Sequence, residues 1–274
     1  MRLLFAGVRG STPVSGRQFD RVGTSTSCVA VLRDGDDLPA LVLDAGTGII
    51  NLTERFEGAP FTGTILLTHL HWDHVQGLPF FRAADRDDAR VTLALPAQGD
   101  PRAVLGHALS PPHFPIGPDG LLGSWTFVGL EAGTHAIEGF EVTATDVPHK
   151  GGRTFGYRVS DGERSFAYLP DHGPSGPDAT EHSRADALEL ARGVDALVHG
   201  APFTLDERAI ADLYGHATVD DAIDFATTAG VHRLVLTHHS PARSDDAVDA
   251  LAFCAAGAFA SSITVAREGD TIEV

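Results

Sequence analysis

Residues 64–74 read TILLTHLHWDH, and this stretch decides the fold. Thr64 to Thr68 is a compact apolar run with the length and β-branched content of a buried strand. It runs straight into His69, His71, Asp73 and His74, four candidate metal donors within six residues. Successive side chains of an extended chain alternate faces, so His69 and His71 can point the same way. Asp73 and His74 are expected to follow on a loop that turns in a second direction. Imidazole and carboxylate together suit zinc, manganese or iron better than calcium or magnesium. A donor density this high is what a two-metal site needs.

Outward from this stretch, the N-terminal half reads as strands joined by short turns. Apolar runs at 3–8, 28–33, 40–44 and 91–95 are bounded by Gly, Asp or Pro, and short helices are expected at 46–56 and 103–109. Residues 110–123, SPPHFPIGPDGLLG, carry four prolines and read as a loop crossing the surface. Further strands are expected around 125–128 and at 141–146, 154–159 and 165–169. Beyond these the pattern alternates between helices at 184–192, 218–229 and 245–256 and strands at 196–199, 234–237, 262–266 and 271–274. Thr218 is placed to cap its helix, with Asp220 and Asp221 in the first turn. Strands with few helices followed by alternating units predict an α/β protein in which two sheets pack face to face with helices outside, as one domain over 1–274.

Composition narrows the function classes. Apolar residues make up 43% of 274, enough for a substantial core, and no run approaches a membrane span. The N-terminal apolar stretch is too short for a secretory signal, so a cytoplasmic protein is expected. Twenty basic residues against 37 acidic ones give a net charge of −17, with Lys150 the only lysine. Such a field repels polyanions, which makes structured RNA an unfavourable partner, but a local metal site can still attract a small anion. Cys28 and Cys254 lie far apart in apolar surroundings, where two buried structural thiols are expected. Fourteen histidines are an excess, scattered and often next to aspartate rather than in a run.

The HLHWDH stretch resembles the HxHxDH motif of the metallo-β-lactamase superfamily. The likeness extends over nearly the whole chain: His149 in DVPHKGG, Asp171 in AYLPDHG and His238 in LVLTHHSP follow in the superfamily's order. The resemblance implies an αββα sandwich of two mixed sheets with outer helices. It also implies a dinuclear centre, one divalent ion on His69, His71 and His149, the other on Asp73, His74 and His238, with Asp171 between them. Zinc is the first expectation and manganese the second. His239 competes with His238 for the last position; His238, first after its strand, is favoured. Di-iron members of the superfamily carry Glu where His71 stands, which argues for hydrolysis here rather than redox chemistry.

Other segments are similar to the ribonuclease Z and cyclic-phosphate phosphodiesterase branch: GVRGSTP at 7–13, RVGTSTSCVAV at 21–31 and LVLDAGTGI at 41–49. Asp44 matches an aspartate that supports a ligand histidine. Residues 214–218, Tyr-Gly-His-Ala-Thr, place His216 before a helix, where the branch implies phosphate contact and proton donation. Asp73 is implied to orient the nucleophile as well as bind metal. Lys150 and Arg153 are candidates for phosphate oxygens. His113, His172 and His239 are expected near the pocket without binding metal, and Trp72 is expected to pack, with a base-stacking platform the alternative.

Two departures matter. Ribonuclease Z carries a long tRNA-binding arm between the third histidine and the bridging aspartate, whereas the stretch from His149 to Asp171 is just long enough for two strands. Ribonuclease Z also has a His-Glu-Ala-Thr motif whose Glu works with the late histidine. Gly200 stands at that Glu position, so Asp220 or Asp221 is expected to tune His216. The expectation is a metal-dependent phosphodiesterase that uses metal-activated water on a small diester, a cyclic nucleotide or other cyclic phosphate first. A ribonuclease Z-like nuclease and a thioester, lactone or β-lactam hydrolase are the alternatives, with a non-catalytic metal-dependent sensor the remote one. The resemblance also makes a homodimer plausible, with the 110–123 loop closing a neighbour's pocket.

Overall fold

The computed structural model describes residues 1–274. The first sheet is built from β1 (Arg2–Gly7), β2 (Cys28–Leu32), β3 (Leu41–Leu43), β4 (Thr62–Leu66), β5 (Arg90–Pro96) and β6 (Ser124–Leu130). The second contains β7 (Gly133–Ile137), β8 (Phe140–Asp146), β9 (Phe155–Ser160), β10 (Ser165–Leu169), β11 (Ala196–Gly200), β12 (Arg233–Thr237) and β13 (Ser262–Val265). The last strand, β14 (Thr271–Glu273), returns to the first sheet beside β1. The strand orders are β14-β1-β2-β3-β4-β5-β6 and β13-β12-β11-β10-β9-β8-β7. Each sheet is antiparallel through its first-formed strands and parallel through the rest, from β3 to β6 in one and from β10 to β13 in the other. The expected αββα sandwich is the fold observed.

Period-two alternation explains why these strands read as continuous apolar runs: both faces of each sheet are covered. Leu3, Phe5, Val29, Val31, Leu41 and Leu43 point between the sheets, where they meet Val142, Tyr157, Phe166, Tyr168 and Val198. Their neighbours Cys28, Ala30, Val42 and Ile65 face the other way, onto Ile49, Leu52, Phe56, Phe81 and Leu105. On the far side, Ala167, Leu169, Leu197, Leu234 and Leu236 pack against Ala187, Leu190, Ala222 and Ala226.

The helices are α1 (Leu52–Arg55), α2 (Trp72–Val75), α3 (Pro101–Gly106), α4 (Glu181–Ala191), α5 (Arg208–Tyr214), α6 (Val219–Ala229) and α7 (Asp245–Ala256). Thr218 caps α6 as expected: its side chain accepts from the Asp221 N–H, and the Asp221 carboxylate returns to the Thr218 N–H. Gly215 and Gly230 end α5 and α6 in the left-handed conformation. The expected helix at 46–56 is a 3-10 turn at Thr47–Asn51 followed by the single turn of α1. Asp73 and His74 sit on α2 rather than on a loop. Besides α2, β7 and α5 were not foreseen. Cys254 is exposed, so only Cys28 is the buried thiol expected. No helix is long and apolar enough to cross a membrane.

Candidate metal centre

The parallel strands converge on one edge of the sandwich, where open α/β sheets place their sites. Asp44 follows β3, His69 follows β4, Asp171 follows β10 and His238 follows β12, while His149 lies in the turn after β8. The first sheet thus supplies His69, His71, Asp73 and His74, and the second supplies His149, Asp171 and His238. Donor atoms of His69, His71 and His149 lie within 4.8 Å of one another; so do those of Asp73, His74 and His238, and those of His69, His74 and Asp171.

Distances inside the cluster show two lobes with a carboxylate between them. Asp171 Oδ2 is 2.8 Å from His74 Nε2 and 3.3 Å from His238 Nε2, while its Oδ1 is 3.1 Å from His216 Nδ1 and 3.8 Å from His149 Nε2. His149 Nδ1 donates to the Gly215 carbonyl at 2.7 Å, which leaves a lone pair on Nε2, 3.2 Å from His71 Nδ1. Asp73 Oδ2 accepts the Ser11 N–H at 2.6 Å and lies 3.1 Å from His238 Nε2.

These residues fit divalent metal. His69 Nε2 is buried with no hydrogen-bond partner, and His74 Nε2 and Asp171 Oδ2, although 2.8 Å apart, do not meet in hydrogen-bond geometry, a costly arrangement unless a cation satisfies them. Titration behaviour agrees. Burial holds His69 and His71 below the ordinary histidine range, and His149 at about 4. Burial would also lower His74 and His238, but Asp73 and Asp171, joined at His74 by Asp44, outweigh it and raise both. Burial would raise Asp73 and Asp171, yet their histidine neighbours hold both below the usual carboxylate range. The carboxylates therefore favour a cation at His74 and His238, the place a metal ion would take.

Behind the donors, Asp44 is fully buried. Its Oδ2 accepts from His74 Nδ1 at 2.8 Å and from the Tyr168 hydroxyl at 3.0 Å, and its Oδ1 accepts from the Thr68 N–H at 2.7 Å. This fixes the His74 proton on Nδ1 and turns Nε2 toward the cluster. Ser11, Asp44 and His238 all adopt left-handed φ near +60°, a conformation that non-glycine residues hold at a cost and that concentrates at functional sites. Gly10 is required because a Cβ there would lie 2.3 Å from the His238 ring. The buried Arg9 guanidinium ties this segment down through the carbonyls of Gly23 and Arg243 and through Asp245.

The cluster forms the floor of a cleft of about 760 Å³ lined by His71, Asp73, His149, Asp171 and His216, with Ser11, Trp72, Lys150, Phe203, Ile210 and Tyr214 among its walls. Four expectations need correction. Arg153 does not face the cleft: its guanidinium grips Asp146 in bidentate fashion, donates to Glu131 and the Ala97 carbonyl, and stacks on Phe155. Asp221 is committed to Arg208 and to the α6 cap, and Asp220 is exposed, so Asp171 is the carboxylate beside His216. Trp72 does not pack in the core; it is 72% exposed at the cleft. His113 lines a separate apolar cavity with Phe80 and Phe114.

The remaining candidates are placed as follows. Lys150 lines the cleft, donates to the Leu213 carbonyl and lies over the Tyr214 ring. His239 is held by the Ala266 carbonyl, which leaves His238 as the residue in the cluster. His172 pairs with His199 at 2.9 Å behind the site. Sequence reasoning missed Ser11, whose contribution is a backbone N–H, and Tyr168, which reaches Asp44 across the sandwich.

Comparisons with known proteins agree with this geometry. A family model described as "Beta-lactamase superfamily domain" matches residues 40–239. A protein named Ribonuclease Z from Exiguobacterium sibiricum is 30% identical over 223 residues, covering 65% of this chain and 71% of the relative. Another of that name from Natronomonas pharaonis is 24% identical over 320 residues, covering 100% of this chain and 98% of the relative. Among solved structures, the metallo-β-lactamase fold protein YhfI of Bacillus subtilis superposes with a TM-score of 0.73 at 18% identity, covering 100% of this chain and 98% of that one. A diphosphatase from the PhnP family gives 0.67 at 21%, covering 100% and 97%. The chain belongs to the metallo-β-lactamase superfamily, in its ribonuclease Z-like branch. It is a metal-dependent hydrolase.

Proposed function

We propose that this protein is a dinuclear phosphodiesterase that cleaves a small diester, a cyclic nucleotide or another cyclic phosphate. The observation that carries the reading is where the chain goes between His149 and Asp171. It makes β9, a tight turn and β10, all within the second sheet, so this segment forms no projecting arm. The Natronomonas alignment runs over 320 residues, more than the 274 of this chain, so that relative carries segments with no counterpart here.

In this reading His69, His71 and His149 would hold one ion, Asp73, His74 and His238 the other, and Asp171 would stand between them, with zinc the first choice and manganese the second. Bound there, two divalent ions would supply Lewis acidity and activate water near neutral pH. Asp44 keeps His74 in the tautomer that presents Nε2. The Ser11 N–H fixes one oxygen of Asp73, which leaves the other to orient the nucleophile. His216, beside Asp171 at the cleft floor, is placed to donate a proton to the leaving oxygen. Lys150 supplies positive charge to a phosphate oxygen at the cleft wall.

The names of the relatives favour a second reading, a ribonuclease Z-like activity on precursor tRNA. Initial rates on bis(p-nitrophenyl) phosphate, a panel of cyclic nucleotides and a precursor tRNA separate the two. Turnover of a cyclic nucleotide with no correct 3′ cleavage of the tRNA is expected. Efficient 3′ cleavage with no turnover of small diesters would overturn the first reading in favour of the second.

A further inference from the structure

We propose that the cleft recognises the organic part of its substrate as a flat aromatic ring stacked on Trp72, with Tyr214 a further wall of the same subsite. The inference rests on the phosphodiester reading above and assigns its specificity. Trp72 lies between His71 and Asp73, which both line the cleft, yet its own indole stays 72% exposed. Tyr214 and Ile210, on α5, are 53% and 48% exposed and line the same cleft. Large apolar side chains held in water and gathered at one concavity mark a binding surface. A volume of about 760 Å³ lies in the range of small-ligand clefts.

The polar inventory points the same way. Apart from histidines, Lys150 is the one basic side chain among the residues that line the cleft. Its ammonium lies 5.5 Å from the Tyr214 ring centroid and donates to the Leu213 carbonyl, so it stands where the apolar wall meets the metal donors. One cation beside the metal centre matches a single phosphate group. The rest of the ligand meets indole, phenol and alkyl surface. A flat ring is the chemistry that an exposed indole binds best, through stacking that tolerates the identity of the ring.

Tryptophan fluorescence tests this without any turnover. The chain has two tryptophans. Trp125 donates to the Leu122 carbonyl, stacks on Phe127 and does not line the cleft. Metal-loaded protein is titrated with adenosine 5′-monophosphate and with ribose 5-phosphate, which keeps the phosphate and lacks the ring. The nucleotide should bind about tenfold more tightly, the scale of one aromatic stack. It should quench the emission in Trp125→Phe as in the wild type. Trp72→Leu should bind both probes alike, whereas Trp72→Phe should keep most of the advantage, with metal content unchanged in each. Equal affinities in the wild type would overturn the proposal, as would a nucleotide advantage that survives Trp72→Leu. Neither probe is a diester, so either result leaves the hydrolytic reading to its own assay.

Discussion

At the scale of single residues, several candidate donors are held by groups outside the cluster: His74 by Asp44, His149 by the Gly215 carbonyl and Asp73 by the Ser11 N–H. His74 presents Nε2 only while Asp44 keeps the proton on Nδ1. Asp44→Asn keeps the volume but weakens that acceptor, so metal affinity should fall by about 10–100-fold, the usual effect of losing such a partner. Competition against a chromophoric chelator measures this, and unchanged affinity would remove Asp44 from the account. His216 lies 3.1 Å from Asp171 Oδ1, and its ring nitrogen also falls within 4.8 Å of donor atoms of His149 and Asp171; in the proposed reading it acts on the substrate. His216→Ala should keep its metal and lose about 10²–10⁴ in turnover of a cyclic nucleotide, with a smaller loss for a p-nitrophenyl ester whose leaving group hardly needs a proton. Metal analysis and rates on both substrates check it. The candidate donors were read from the HLHWDH motif and, for His149, Asp171 and His238, from the superfamily resemblance, and the structure brings their side chains together. Arg153 was misread because an arginine beside a histidine ligand gives no sign of which way it points. Asp146, which claims it, belongs to the preceding strand.

At the scale of elements, the site depends on strand ends that nearly touch. A Cβ on Gly200, at the end of β11, would stand 1.7 Å from the Pro170 carbonyl, one residue before Asp171. A glutamate at this position is therefore sterically excluded. Gly200→Ala must push Pro170 and Asp171 away, which should cost about 1–3 kcal/mol of stability and displace the bridging carboxylate. Thermal melts with and without metal should show a lower Tm and a smaller metal-induced rise; wild-type values for both would contradict the packing described. The strands of the two central sheets were legible because their alternating faces are all covered. β7 was missed because its sequence, GTHAI, offers neither an apolar run nor a clear alternation. α5 was missed because Ile210, Leu213 and Tyr214 are largely exposed, with Ile210 and Tyr214 lining the cleft, so their spacing shows no core-facing stripe.

At the scale of the whole molecule, buried neutral histidines set the acid limit. His199 and His239 are fully buried, and burial lowers each to about 4, although each also donates to a backbone carbonyl. The unfolded chain binds these protons near pH 6.5 and the folded chain does not, so stability is present above that pH and is lost as pH falls toward 4. His74 and His238 are raised, so their contribution in the metal-free protein is fully present below the unfolded value and adds nothing to the loss on acidification. The Tm of metal-free protein should therefore drop steadily from pH 6.5 to 4. A flat profile would mean that these rings are solvated. Above this limit, the account turns on two ions acting together on a diester. The most direct test titrates chelator-stripped protein with zinc or manganese while bound metal and the hydrolysis of a cyclic nucleotide are followed in the same samples. Activity should stay low at one bound ion per chain and reach its plateau at two. A plateau at one ion, or no hydrolysis with two bound, would contradict it.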